Sequence, residues 1–125
     1  MEDNTKKRIL AVDDDETTLG FVSEVLSAQG CEVVCASGGA EAIEILKEQS
    51  FDGVVLDFYM PEKDGLDVIA SMYGRKDRTP TIIFTSKLSP AYEAAVQGFG
   101  ITREILYKSC TASQLAEAVK RVTGS

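Results

Sequence analysis

The chain has 125 residues, 20 acidic and 13 basic side chains, a formal net charge of −7 and no histidine. That length suits one domain and is short for two. The acid excess argues against nucleic acid as the main partner, because phosphate binding wants clustered Lys and Arg. Without an imidazole of its own, the chain has no Ser-His triad, no Cys-His pair, no His-ligated zinc and no self-supplied phosphohistidine.

The start, Met1 to Arg8, is polar with no apolar segment behind it, so it does not read as a secretory signal. No apolar run approaches the ~20 residues of a membrane span. The cysteines, Cys31, Cys35 and Cys110, fit no zinc or redox spacing. On a strand, Cys31 and Cys35 would lie ~13 Å apart, beyond disulfide reach. Reduced thiols in a cytoplasmic protein are the expectation.

In chain order, Ile9–Val12 is the first β-branched run. A stripe of Leu19, Val22, Val25 and Leu26 at helical spacing follows it. Glu32–Ala36 is the second run. A helix carrying Ala42, Ile43 and Leu46 comes next, with Ser37 and two glycines at its start. Val54–Leu56 is third, followed by a helix with Leu66, Ile69 and Ala70 that Asp64 opens as a candidate N-cap. Thr81–Phe84 is fourth, ahead of a short Ala-rich helix, Pro90 to Gln97, with Pro90 in its first turn. Ile105–Tyr107 is fifth. The last helix carries Leu115, Ala118, Val119 and Val122, and Thr111 with Gln114 forms its capping box. Five strands alternating with five helices predict one α/β domain over 1–125, its core about 8–122, with a parallel sheet between two helix layers. Only Met1–Lys7 and Thr123–Ser125 read as loose ends.

In such sheets, ligands bind outside the carboxyl ends of the strands. Asp13-Asp14-Asp15-Glu16 follows the first run, Asp57 the third, Thr85-Ser86 the fourth and Lys108 the fifth. Carboxylates at close range repel one another, and a hard dication relieves that repulsion. Mg²⁺ (or Mn²⁺) takes oxygen ligands, of which one or two are carboxylates. Asp57, alone at the end of a central strand, is the best-placed nucleophile. Lys108 and Thr85 would hold phosphoryl oxygens. Taken singly, each has a simpler reading: Asp13–Glu16 as a helix start, Asp57 as a turn former, Thr85 as a strand residue and Lys108 as a surface charge. Their joint placement favours the site.

From about Ile9 to Val122 the chain resembles the receiver domain of two-component response regulators. Ile9-Leu10-Ala11-Val12-Asp13-Asp14 matches the family's acidic pair. Asp57-Phe58-Tyr59-Met60-Pro61-Glu62-Lys63-Asp64-Gly65 matches its phosphoacceptor loop. Thr85 and Lys108 match its hydroxyl and lysine positions. The resemblance implies a flavodoxin-like doubly wound sheet, order 2-1-3-4-5. It implies Asp57 as phosphoacceptor and Mg²⁺ held by Asp14 directly, by Asp13 through water, by Asp57 and by the Tyr59 carbonyl. Thr85 would hydrogen-bond the phosphoryl group and Lys108 would pair with it. The protein would be a signalling switch that catalyses its own phosphorylation and dephosphorylation, not an enzyme acting on other substrates. A sensor histidine kinase or histidine phosphotransfer protein would supply the phosphoryl group, docking on Thr17–Gln29. A downstream protein would read the face built from the fourth helix, fifth strand and fifth helix, where Tyr92 and Tyr107 are candidate contacts.

Three positions depart from the family pattern. Ser109 stands where proline is usual after the lysine, Ile105 where an aromatic switch residue is usual, and Ser86 where Ala or Gly is usual. The stretch Gly98 to Glu104 is about one residue longer than typical. Tyr59 and Lys87 occupy positions that flank the attacking water in the family, which implies slow loss of phosphate. Asp13-Asp14-Asp15-Glu16-Thr17 also fits the DxDxT loop of haloacid-dehalogenase-type phosphatases, with Asp13 as nucleophile and Asp15 as acid. That reading leaves the Asp57 motif unexplained. A flavodoxin is disfavoured because four consecutive acids would repel a flavin phosphate. A degenerate receiver, binding proteins without phosphorylation, is the remaining alternative.

Overall fold

The computed structural model describes residues 6–124, so the predicted loose ends fall partly outside the described residues. The strands are β1 (Arg8–Val12), β2 (Glu32–Ala36), β3 (Gly53–Leu56), β4 (Thr81–Thr85) and β5 (Thr102–Tyr107). The helices are α1 (Glu16–Ser27), α2 (Gly39–Glu48), α3 (Gly65–Gly74), α4 (Pro90–Gln97) and α5 (Ala112–Thr123). All strand pairs are parallel and the order is β2-β1-β3-β4-β5, as the resemblance implied. Among the described residues no helix is long and apolar enough to cross a membrane.

Alternation along each strand feeds two cores. Leu10, Val12, Val54, Leu56 and Ile83 pack with Leu46 of α2, Ile69 and Met72 of α3 and Val96 of α4. Ile9, Ala11, Val55, Ile82 and Phe84 pack with Val22 and Leu26 of α1 and Leu115 and Val119 of α5. Every residue of β3 and β4 is buried, which explains their uninterrupted apolar runs.

The predicted helix starts hold. Asp64 and Asp67 exchange side-chain bonds with each other's amides at 3.0 and 2.9 Å, and Thr111 and Gln114 do so at 3.1 and 2.8 Å. In α3 the apolar stripe is shifted from the expected one: Val68, Ile69 and Met72 are buried and Ala70 is exposed. The end at Thr123 is not loose, because its carbonyl accepts from Lys7 Nζ at 3.3 Å.

The largest departure is β5, which begins at Thr102, three residues before its apolar run. As an edge strand it keeps one side in water, so polar residues suit it there. Thr81 pairs with Thr102 but Ile82 pairs with Glu104, leaving Arg103 as a bulge. The bulge lies within the Gly98–Glu104 stretch.

Candidate functional site

The strand order reverses between β1 and β3, so a crevice opens at their carboxyl ends. The hydrogen-bond ladder runs one residue past three strands and sets the backbone of the residues there. Asp13 N donates to Ala36 O (3.1 Å), Asp57 N to Val12 O (2.9 Å) and Lys108 N to Thr85 O (2.9 Å).

Asp13 and Asp57 are buried and Asp14 is exposed beside them. One carboxylate oxygen from each can be chosen so that all three lie within 4.8 Å of one another. Lys108 Nζ stands 2.9 Å from Asp13 Oδ2 and 3.6 Å from Asp57 Oδ1. Apart from Lys108, no group among the described residues meets this buried Asp13 oxygen. Asp13 Oδ1 accepts from Asp15 N at 2.9 Å, and Asp57 Oδ1 accepts from Phe58 N at 2.9 Å.

Burial raises the Asp57 carboxyl to about 6, and the negative charge of Asp13 adds to the rise. Lys108 and the Phe58 amide oppose it, and Asp14 adds to it. For Lys108, burial would lower the pKa, but Asp13 and Asp57 outweigh it and hold the ammonium above the ordinary lysine value. The site therefore carries more negative charge than one ammonium balances. Three clustered acids sharing a single ammonium are a donor set that fits a hard divalent cation.

Other expected positions fall out differently. Thr85 is buried at the end of β4, but its hydroxyl donates to Lys87 O at 3.1 Å, engaged with its own loop. Asp15 caps α1: its carboxylate accepts from Thr17 N at 3.1 Å and from Thr18 Oγ1 at 3.0 Å. The helix-start reading is thus true of Asp15. Ile105 is half-buried against the core beneath α4. Among the described residues every peptide bond is trans, and Cys110 N closes a turn to Tyr107 O at 3.0 Å.

Two features were not foreseen. Tyr59 is 42% exposed, yet its ring meets Phe58 edge-on with centroids 5.0 Å apart and Tyr92 of α4 at 6.1 Å. No spacing rule joins residues so far apart in the chain. The second is the reason for Gly65 after Asp64. A Cβ there would lie 2.9 Å from Asp57 O and 2.9 Å from Phe58 Cα. Gly65 N also donates to Phe58 O at 2.8 Å, so α3 begins directly against the backbone of the acceptor residue. Gly65→Ala should therefore destabilise by about 1–3 kcal/mol through forced backbone shifts. Gly74→Ala, where a Cβ meets nothing within 4 Å, should be neutral or stabilising by up to about 1 kcal/mol. Urea melts of both variants check the contrast.

The sequence profile of the response regulator receiver domain matches residues 9–120. The chain belongs to the response regulator receiver family. Response regulator MprA of Mycobacterium leprae is 36% identical over 88 residues, 70% of this chain and 39% of that protein. Regulatory protein AtoC of Escherichia coli is 35% identical over 79 residues, 63% of this chain and 17% of that protein. The receiver thus spans well under half the length of these relatives. Among solved structures, chemotaxis protein CheY4 of Vibrio cholerae is 28% identical with a TM-score of 0.86, covering 94% of this chain and 99% of that one. A CheY-like receiver from Methanospirillum hungatei has the same fold, with a TM-score of 0.90 at 22% identity over 96% of this chain and 95% of that one. So has the receiver domain of sensor histidine kinase PA1611 from Pseudomonas aeruginosa, with a TM-score of 0.86 at 21% identity over 97% of this chain and 100% of that one. That structure carries a magnesium ion coordinated in its active-site cleft.

Proposed function

We propose that this receiver is a phosphorylation switch, taking a phosphoryl group on Asp57 from a phosphohistidine on a sensor kinase or phosphotransfer protein. The observation that carries the reading is the cluster of Asp13, Asp14 and Asp57 within 4.8 Å, with Lys108 bridging the two buried acids.

Asp14 directly, Asp13 through water, Asp57 and the Tyr59 carbonyl would hold Mg²⁺. Bound there, the ion supplies charge neutralisation to the oxygens of the transferring group. The Asp57 carboxylate attacks phosphorus, the P–N bond breaks and its electron pair returns to the imidazole. Lys108 leaves Asp13 for a phosphoryl oxygen. Thr85 releases the Lys87 carbonyl and donates to another. The product carries about two negative charges where the carboxylate carried one. The loops bearing Thr85 and Lys108 lead into α4, β5 and α5, the face a downstream protein would read.

The test is incubation with Mg²⁺ and acetyl phosphate, followed by intact mass, with Asp57→Asn in parallel. One phosphoryl group on the wild type alone supports the switch. No addition under donor excess, with no Mg²⁺ binding, returns the chain to a protein-binding module that works without phosphate.

Loss of phosphate should be slow. Tyr59, whose ring packs on Phe58 and Tyr92, and Lys87 occupy the positions that in the family flank the attacking water. Phospho-Asp57 is expected to outlast minutes, and Tyr59→Asn to shorten that lifetime several-fold. Decay of the wild type within seconds would sink this prediction, as would an unchanged rate in the variant.

A further inference from the structure

We infer that Tyr92, outside the acidic cluster and on a different element, is a positioning residue for the loop that completes the metal site. The inference rests on the switch reading above, because it concerns the Tyr59 carbonyl as a ligand.

Among the described residues, no hydrogen bond holds the backbone of Tyr59, Met60, Glu62 or Lys63. The last anchored residue before them is Phe58, whose amide donates to Asp57 Oδ1 and whose carbonyl accepts from Gly65 N. Side-chain packing must therefore locate the Tyr59 carbonyl. Met60 is buried and supplies part of that packing. Lys63 packs its backbone against Gly39 at the far end of the loop, and a closed triangle of rings stands at the near end. Phe58, fully buried, lies 5.0 Å from Tyr59 at 76° and 4.9 Å from Tyr92 at 50°. Tyr59 and Tyr92 close the triangle at 6.1 Å and 84°. These are the edge-to-face and tilted geometries in which aromatic rings attract.

Tyr92 is itself fixed. It lies in the first turn of α4, its amide donating to the Ser89 side chain at 3.3 Å, with Pro90 stiffening the entry. The short connection before α4 also contains Lys87, whose carbonyl accepts from the Thr85 hydroxyl. Helix α4 is thus tied to the site at two points, through Thr85 and through the ring triangle. Because coupling between sites is reciprocal, a partner that grips the Tyr92 face of α4 alters metal affinity by the factor by which metal alters the partner's.

The test compares Tyr92→Ala, Tyr92→Leu and Tyr92→Phe with Tyr73→Ala, an exposed tyrosine on α3 that packs against Phe99 instead. Two readouts are taken: backbone order parameters at Tyr59 and Met60 without metal, and the Mg²⁺ dissociation constant by calorimetry. Tyr92→Ala and Tyr92→Leu should lower the order parameters and weaken Mg²⁺ about threefold to tenfold. Tyr92→Phe should keep both at wild-type values, and so should Tyr73→Ala. Unchanged order and affinity in the folded Ala and Leu variants overturn the inference, as does equal weakening by Tyr73→Ala. A wild type that takes no Mg²⁺ overturns the metal reading, while the order parameters, measured without metal, still decide whether Tyr92 holds the loop.

Discussion

Asp57→Asn is expected to abolish phosphoryl acceptance and, without metal at pH 7.5, to make the protein more stable by about 1–3 kcal/mol. The folded carboxyl titrates at about 6, raised chiefly by burial and next by Asp13, whereas an unfolded aspartate titrates near ~3.9. Between those values the folded state binds more protons than the unfolded state, so this group's contribution to stability falls as pH rises. The deficit is complete above the folded pKa. Asparagine has no charge to desolvate, and its carbonyl oxygen can still accept from the Phe58 amide. Thermal melts in chelator should show the variant several degrees higher at pH 7.5, at about 4 °C per kcal/mol for a chain of this size. At pH 4 the gap should nearly close. Mg²⁺ should then raise the wild type more than the variant. A gap independent of pH would mean that Asp57 is not held at a raised pKa.

Lys108→Met should produce effects of opposite sign on metal and on phosphate. In the metal-free protein Lys108 lies 2.9 Å from Asp13 Oδ2 and 3.6 Å from Asp57 Oδ1, and it is the only cation that pairs with either acid among the described residues. Removing it leaves two buried carboxylates facing each other. A broken buried pair costs about 3–5 kcal/mol. The lysine side chain is 23% exposed, so about 2–3 kcal/mol is the fairer expectation once solvent screening is allowed for. That loss should grow as pH rises through about 6, where Asp57 ionises, and shrink below it. Mg²⁺ should bind the variant more tightly, because the ammonium that competes for Asp13 is gone. Phosphorylation by acetyl phosphate should nonetheless slow by about 100-fold or more, because no cation remains to take the phosphoryl oxygen. Calorimetry and intact-mass time courses read the two effects separately. Weaker Mg²⁺ binding by the variant would show that Lys108 orders the acids rather than competing for them.

The parts of this molecule legible in its sequence are those set by local rules. Val54-Val55-Leu56 and Ile82-Ile83-Phe84 announced buried strands because both of their faces are covered. Asp64, Pro90 and Thr111 announced helix starts because capping needs a side chain at a fixed distance from the first free amides. The acids after β1 and β3 were legible because parallel sheets gather their strand ends on one side. The strand order rested on resemblance, not on any residue. Thr102 to Glu104 carried no strand signal, since polar residues on an edge strand look like loop. Ala70 showed the limit of periodicity in a short helix, where one extra small residue shifts the apparent stripe. The Thr85 hydroxyl's partner and the meeting of Phe58, Tyr59 and Tyr92 depend on how α4 leans on the β3–α3 loop, which no local pattern encodes.

The bulge at Arg103 says where this domain can change length. A strand bonded on one side only can bow outward around an added residue, and from Glu104 to Tyr107 the pairing with β4 runs in step again. Tyr107 therefore arrives opposite Thr85, and Lys108 one residue beyond it with its amide on the Thr85 carbonyl. An added residue inside β1 or β3, which are bonded on both sides, would send alternate side chains to the wrong layer and carry Asp13 or Asp57 out of phase. The outer edge of the sheet is thus a slack segment. Chains of this architecture can lengthen or shorten there, reshaping the surface offered to other proteins while the chemistry at the strand ends stays in register.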